Sequence, residues 1–310
     1  MSSAAKDAAQ VLRGAFSIVV TPFEREGRLD EGALAANIER TLDLGYDGVL
    51  IGGTYGEFAT MTLDERARLF RAAAGAVGGR AGLLLCAAGS DPRGVRELTA
   101  LAGELGGYPM VMPPYVSEVT DAQIVRFFQD IAAEAPGGVV IYNAPGVGIT
   151  LSVPTLERLA DLPGVVGLKQ GELNPTVVDQ LVGRLGGRLQ LLSASDLALT
   201  GPATAGFDGL TSTNSCALPE LILAAYRALR AGDARTGGAL HRSWFAYREL
   251  ARRHGQPQTV KAAMRGRGWN GGFVRSPLRD LEESARADVE SAVRDAMQAF
   301  DRYRTTGGIQ

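Results

Sequence analysis

Short apolar runs, rich in leucine and β-branched residues, recur along the chain at similar spacing, and each is followed by a longer stretch of helical period. The strand candidates are Phe16 to Val20, Gly48 to Ile51, Gly82 to Cys86, Pro109 to Met112, Gly138 to Tyr142, Val165 to Lys169, Leu189 to Leu192 and Gly209 to Ser212. Between them lie amphipathic stretches such as Glu31 to Leu44, Asp64 to Val77, Pro92 to Leu105, Asp121 to Ala133 and Pro154 to Leu162, with capping signals at Thr62, Ser90 and Thr120. Eight strands with interposed helices fit a (β/α)8 TIM barrel, an α/β fold, better than a doubly wound sheet. From about Leu218 onward the pattern is helical and no strand of comparable strength follows. The expected organisation is a flexible tail over residues 1–10, the barrel over 11–231 and a C-terminal helical appendage over 232–310.

Composition narrows the function classes. The 310 residues are 45% hydrophobic and 21% charged with a net charge of -2, which suits a soluble globular protein and gives no net basic surface for nucleic acid. Acids such as Asp64 and Glu65 alternate with Arg66, Arg68 and Arg71 as on solvated helix faces. Cys86 and Cys216 offer neither a disulfide framework nor a paired metal motif, so a reducing cytoplasm is the expected compartment. No apolar stretch approaches a membrane span, and Met1 to Gln10 lacks the order of a signal peptide.

In a barrel of this kind the catalytic groups stand at the carboxyl ends of the strands. Strand two ends in Gly52-Gly53-Thr54-Tyr55-Gly56-Glu57, strand four in Met112-Pro113-Pro114-Tyr115, strand five in Tyr142-Asn143-Ala144-Pro145 and strand six in Lys169-Gln170. Lys169 is one of three lysines among 32 basic residues. Arginine stays protonated at any working pH, whereas a lysine pressed into apolar surroundings, here expected to be Val165, Val166 and Leu168, can lose its proton and attack a carbonyl carbon. The alternative is a lysine snorkelling from a strand end to solvent. The glycine-rich Gly52 to Gly56 lacks the spacing of either phosphate-binding loop; small residues there instead let backbone N–H groups approach a carboxylate, with Thr54 and the Tyr55 amide as donors and Gly53 as a further candidate contact. A metal-dependent aldolase needs ligands clustered at strand ends, yet the two histidines, His241 and His254, fall in the late helical region as surface or packing residues. Neither a metal nor a cofactor is expected.

These motifs carry a family resemblance. GTYGE at Gly53 to Glu57, YNxP at Tyr142 to Pro145, GLK at Gly167 to Lys169, the early Val20-Thr21-Pro22-Phe23 and the late Pro257 to Lys261 resemble, in order and spacing, the dihydrodipicolinate synthase and N-acetylneuraminate lyase family of pyruvate-type Schiff-base lyases. The resemblance implies the barrel with carboxy-terminal helices and a homotetramer, or at least a dimer. It makes Lys169 the Schiff-base lysine and Tyr142 the proton shuttle. Thr54 and Tyr115 extend the proton path, Tyr115 from a neighbouring subunit, with interface packing as its alternative. Thr211 becomes a contact to the keto acid, against ordinary strand polarity, and Lys261 takes a structural salt bridge or helix contact.

The departures set the expected substrate. Val147 stands two residues past the YNxP proline, where the resemblance implies an arginine that holds the carboxylate of aspartate semialdehyde in the synthases. Gln170 replaces a common glutamate, Tyr55 a small hydroxyl residue, and Leu197 the acid that follows the aspartate of sialic-acid lyases. The expectation is a lyase acting on a 2-oxo acid, such as a 2-keto-3-deoxy sugar acid or a 4-hydroxy-2-oxo acid, by cleavage to pyruvate and an aldehyde or by dehydration. Its rivals are 4-hydroxy-tetrahydrodipicolinate synthase and a non-catalytic keto-acid-binding barrel.

Overall fold

The eight apolar runs become eight parallel strands that close into a barrel in the order β1 to β8. The computed structural model describes residues 3–145 and 148–306, with side chains described from 7 to 305. Strands and helices alternate as β1 (Gly14–Ile18), α2 (Glu31–Asp43), β2 (Gly48–Ile51), α3 (Leu63–Val77), β3 (Gly82–Cys86), α4 (Pro92–Glu104) and β4 (Tyr108–Val111). They continue as α5 (Asp121–Ala133), β5 (Val139–Asn143), α6 (Val153–Ala160), β6 (Val165–Gln170), α7 (Pro175–Leu185), β7 (Gln190–Ser193), α8 (Thr200–Ala205) and β8 (Gly209–Ser212). Closure is completed by β1 on β8, with Gly14 opposite Gly209 and Phe16 opposite Thr211.

Side-chain alternation divides the core into two layers. Val49, Ile51, Leu83, Leu85, Val111, Val139 and Ile141 point outward onto helix residues such as Ile38, Phe70, Leu98 and Phe128. Phe16, Ile18, Leu50, Leu84, Cys86, Met110, Val140 and Tyr142 fill the interior. Helix starts follow local chemistry. Thr62 and Thr120 each form a reciprocal capping box, with Glu65 and Gln123. At α4 the cap is Asp91, which accepts from the Arg93 amide, and the Ser90 hydroxyl instead bonds the Tyr115 backbone.

The opening residues differ from the flexible tail expected of them. Ser3–Val11 forms a helix, α1, and Ala8 and Leu12 join the interior cluster with no exposed surface. Their i, i+4 spacing places both on one face, which covers apolar surface at the amino-terminal end of the strands. Beyond the barrel, α9 (Pro219–Arg230), α10 (Ala234–Ser243), α11 (Phe245–His254), α12 (Gln256–Gly266) and α13 (Glu283–Thr306) share a second core around Trp244, Tyr247, Val260 and Phe300. No helix among the described residues is long and apolar enough to cross a membrane.

Phe16 occupies the space left by a missing side chain at Gly48. A Cβ there would stand 2.2 Å from Phe16 Cε1 and 2.5 Å from the Gly82 carbonyl oxygen, which belongs to backbone and cannot swing aside. Gly48→Val is therefore expected to destabilise the barrel by about 3 kcal/mol or more, read as a lower urea midpoint with little change of slope.

Candidate active site

Alternation alone would turn Lys169 away from the barrel interior, because Val165 lies on the outer layer and two-residue steps from it reach Lys169. An irregularity on β6 changes the parity. Val139 pairs with Val165 but Val140 pairs with Gly167, so β6 spends two residues where β5 spends one. Such a bulge re-aims the side chains beyond it. Val166 faces inward, Leu168 outward, and Lys169 lies inside against Tyr142, its partner in register. Gly167 suits this place, since a Cβ would come within 3.2 Å of the Gln190 carbonyl oxygen and 3.5 Å of Leu12. The apolar neighbours Val165, Val166 and Leu168 do not bury Lys169 together, as their run along the strand suggests. Of these only Val166 shares the interior, and the surroundings of the amine come from other strands.

Lys169 is 2% exposed, and among the described residues its Nζ has no hydrogen-bond or ion-pair partner. Burial lowers its pKa from the ordinary 10.5 to about 7, with the nearby Cys86 sulfur acting the other way. That drop corresponds to about 5 kcal/mol of bias against the charged form. Nζ lies 3.8 Å from the centroid of the Tyr142 ring, a contact that favours the cation by about 1 to 2 kcal/mol. Desolvation wins, and a large fraction of the amine is neutral at pH 7.

Tyr142 projects from β5 into the same space. Its phenol shares a 2.9 Å hydrogen bond with Thr54 Oγ1. Burial pushes the phenol pKa up, with the Thr54 bond acting the other way, so Tyr142 holds its proton through neutral pH. Thr54 opens a 3-10 turn, Thr54–Gly56, that follows Gly53 at the end of β2. The first amides of such a turn, Thr54 and Tyr55, have no acceptor within it. Thr21 Oγ1 fixes the far side by donating to the Gly56 carbonyl at 2.6 Å.

The turn ends at Glu57, which has φ 61° and ψ 32° in the left-handed region. A side chain there costs about 1 kcal/mol relative to glycine. Its carboxylate is spent on partners far along the chain: Oε1 meets Lys261 Nζ at 2.5 Å and Oε2 accepts from the Arg275 amide at 2.9 Å. Both charged side chains are buried, at 0% and 1% exposure. Lys261 also donates to the Phe273 carbonyl at 2.7 Å. Burial lowers its pKa while Glu57 opposes the loss of charge. The resemblance gave Lys261 a structural contact, but its partner, 204 residues away, was not readable from spacing.

The remaining candidates fall differently. Tyr115 is 72% exposed, with its backbone clamped by Ser90 Oγ, and among the described residues no hydrogen bond or ring contact joins it to Thr54 or Tyr142. It lines a hollow of about 600 Å³ with Phe58, Met112 and Gly148 at the carboxyl rim of the strands. A hollow of about 670 Å³ at the opposite rim, near Val11, Tyr108 and Glu134, holds none of these groups. Tyr55 is 37% exposed, its phenol pKa raised by partial burial and by the charge of Asp196. Asp196 is buried, accepting from Ser212 Oγ and, at 2.9 Å, from Asn214 Nδ2; burial raises its pKa. Leu197 beside it is exposed.

Thr211 is buried and donates to the Ser193 carbonyl at 2.8 Å, so its hydroxyl proton is committed to β7. The buried Gln170 amide is taken up by Asn143 and the Glu172 carbonyl. His241 is half-buried, and its Nε2 lies 2.8 Å from the Asp196 carbonyl oxygen. Val147 lies outside the described residues. Among the described residues no group of three or more His, Cys, Asp or Glu side chains is gathered as for a metal ion.

The lowered pKa of Lys169 has a stability consequence with a definite sign. Below about pH 7 the lysine is charged in both folded and unfolded chains and the full burial penalty applies. Between about 7 and 10.5 the unfolded chain binds the extra proton, so the penalty fades as pH rises. Lys169→Met is expected to stabilise the fold by about 4 kcal/mol at pH 7 and by much less near pH 10.5, measured as paired urea titrations at the two pH values.

The dihydrodipicolinate synthetase family model matches residues 11–296. Among curated relatives, 4-hydroxy-tetrahydrodipicolinate synthase of Halorhodospira halophila is 30% identical over 92% of this chain and 97% of its own length. The protein of that name from an Exiguobacterium species is 31% identical over 94% and 99%. Among solved structures, the 4-hydroxy-tetrahydrodipicolinate synthase of Methylacidiphilum fumariolicum superposes with a TM-score of 0.88 at 24% identity, covering 94% of this chain and 98% of that one. A Clostridium difficile protein solved with mannosamine superposes with 0.87 at 17% identity, covering 92% and 99%. The last two speak to the fold. The chain belongs to the dihydrodipicolinate synthetase family, a family of aldolase-type lyases.

Proposed function

We propose that the chain is a class I lyase whose Lys169 forms a Schiff base with a 2-oxo acid. The observation that carries this reading is the buried Lys169 amine with a pKa near 7, packed on the face of a tyrosine that is hydrogen-bonded to Thr54. The Nζ lone pair attacks C2, the ketone oxygen takes up protons and leaves as water, and an iminium remains. In cleavage the 4-hydroxyl gives up its proton, its oxygen becomes the aldehyde carbonyl, and the C3–C4 electron pair moves into the C2–C3 bond as the iminium becomes an enamine. Protonation at C3 and hydrolysis release pyruvate and restore the amine. Dehydration would use the same iminium as electron sink. Tyr142, which keeps its proton, serves as the donor and acceptor nearest the reacting atoms, with Thr54 as the next link. The Gly53 to Tyr55 backbone receives the carboxylate, and Thr211 contributes through the acceptor side of its hydroxyl.

The mouth supports a 2-oxo acid whose distal part is uncharged, such as a 2-keto-3-deoxy sugar acid or a 4-hydroxy-2-oxo acid. Tyr55 and Leu197 are exposed, and Val147 stands where the resemblance expects an arginine. The relatives' names favour a second reading, 4-hydroxy-tetrahydrodipicolinate synthase. Without an arginine for its carboxylate, aspartate semialdehyde is expected to condense with pyruvate about 100-fold more slowly than an uncharged aldehyde of similar size. Equal rates would favour the synthase.

Incubation with pyruvate followed by borohydride is expected to add the reduced adduct to Lys169, located by peptide mapping and absent from Lys169→Ala. No adduct with pyruvate or longer 2-oxo acids would leave a non-catalytic binder. Tyr115 is assigned to a neighbouring subunit's site in a homo-oligomer, dimeric at least and tetrameric by resemblance. Lys169→Ala and Tyr115→Phe protomers, each inactive alone, should then recover about a quarter of wild-type activity when co-assembled in equal amounts, since half of the dimers are mixed and carry one intact site. No recovery on mixing would place Tyr115 outside the reaction across the interface.

A further inference from the structure

Two buried lysines stand among the described residues, and the proposed chemistry uses one. The other, Lys261 on α12, is held by Glu57, the residue that ends the Thr54 turn. We propose that the Glu57–Lys261 ion pair is a positioning device for the proton path, through which the carboxy-terminal helices set Thr54 against Tyr142. The inference rests on the Schiff-base reading above.

Three observations carry it. First, the Glu57 amide donates to the Thr54 carbonyl at 3.1 Å and the Gly56 amide to the Gly53 carbonyl at 2.9 Å, so the placement of Glu57 fixes the turn that presents Thr54. Second, the backbone at Glu57 is left-handed, a conformation that favours glycine. A glutamate in that place is explained by its carboxylate, which lies buried against the ammonium of α12 and the amide of Arg275. Third, the next turn, Phe58–Thr60, which follows directly on Glu57, is strapped from outside. Arg275 donates to the Thr60 carbonyl at 3.0 Å and to the Gly27 carbonyl, and its guanidinium pairs with Glu65 at 2.5 Å. The Thr54–Glu57 segment is therefore anchored on residues 261 to 275 as well as on the barrel.

An ion pair that merely stabilises the fold would have the same burial, so stability alone cannot test the claim. The test is a double-mutant cycle read on one half-reaction, uptake of deuterium at C3 of pyruvate, followed by NMR at a temperature well below the melting transition. Glu57→Gln with Lys261→Met removes both charges and leaves neither ion uncompensated. This neutral pair is expected to slow exchange about 100-fold, while in a Thr54→Val background the same change costs less than about threefold, because its effect passes through Thr54. A further loss of tenfold or more on top of Thr54→Val, or exchange within threefold of wild type for the neutral pair, would overturn the inference. Should the neutral pair fail to fold, Glu57→Asp keeps both charges but shortens the arm, and the same cycle applies with an expected loss of about tenfold. Wild-type protein that neither exchanges nor traps pyruvate would remove the Schiff-base reading and this inference with it. Wild type that does both leaves only the inference at stake.

Discussion

The site depends on taking one amine out of water without giving it a counter-charge. A closed eight-stranded barrel supplies such a place because its interior is packed with side chains from every strand, and at the β6 end the Lys169 amine meets a tyrosine face instead of a carboxylate. The cost, a few kcal/mol at neutral pH, is borne by the rest of the barrel core. Closure at the amino-terminal end matters to this balance. Phe16 fills the volume above Gly48 and Gly82, and Ala8 and Leu12 cover that end.

The contrast between Lys169 and Lys261 shows how one residue type is given two chemistries. Both are buried and desolvation lowers both pKa values. Lys261 has a carboxylate at 2.5 Å, which supports its charged form and makes it a tether. Lys169 has no acidic partner among the described residues, so the same desolvation favours the neutral amine that the proposed chemistry requires. Burial alone thus does not distinguish the two; the neighbouring charge does.

Much of this was legible in the sequence, for physical reasons. Strand and helix periods are local, so the runs at Gly48, Gly82, Val165 and Gly209 begin in the structure where the pattern placed them. The motifs also put Lys169 and Tyr142 at strand ends, and the fold pairs them in register. What escaped depends on geometry that spacing does not encode. The β6 bulge turns Leu168 outward and Lys169 inward, so of Val165, Val166 and Leu168 only Val166 shares the layer of the amine. The burial of Ala8 needs the barrel floor to exist first, and a short polar-flanked stretch reads as a tail without it. The cap at α4 fell to Asp91 because the Ser90 hydroxyl was taken by Tyr115. The Glu57–Lys261 contact joins residues 204 positions apart, beyond any local signal.

With three lysines in the chain, the ionisation of Lys169 can be observed directly. Protein labelled with ¹³C at lysine Cε, compared with the Lys169→Met variant for assignment, gives few enough resonances to follow Lys169 alone through a pH titration. An inflection near pH 7 for Lys169 is the result expected of an amine desolvated without a counter-charge. A Lys169 that stays charged to pH 10 would contradict the account, because an ammonium in that place has no lone pair with which to attack a ketone.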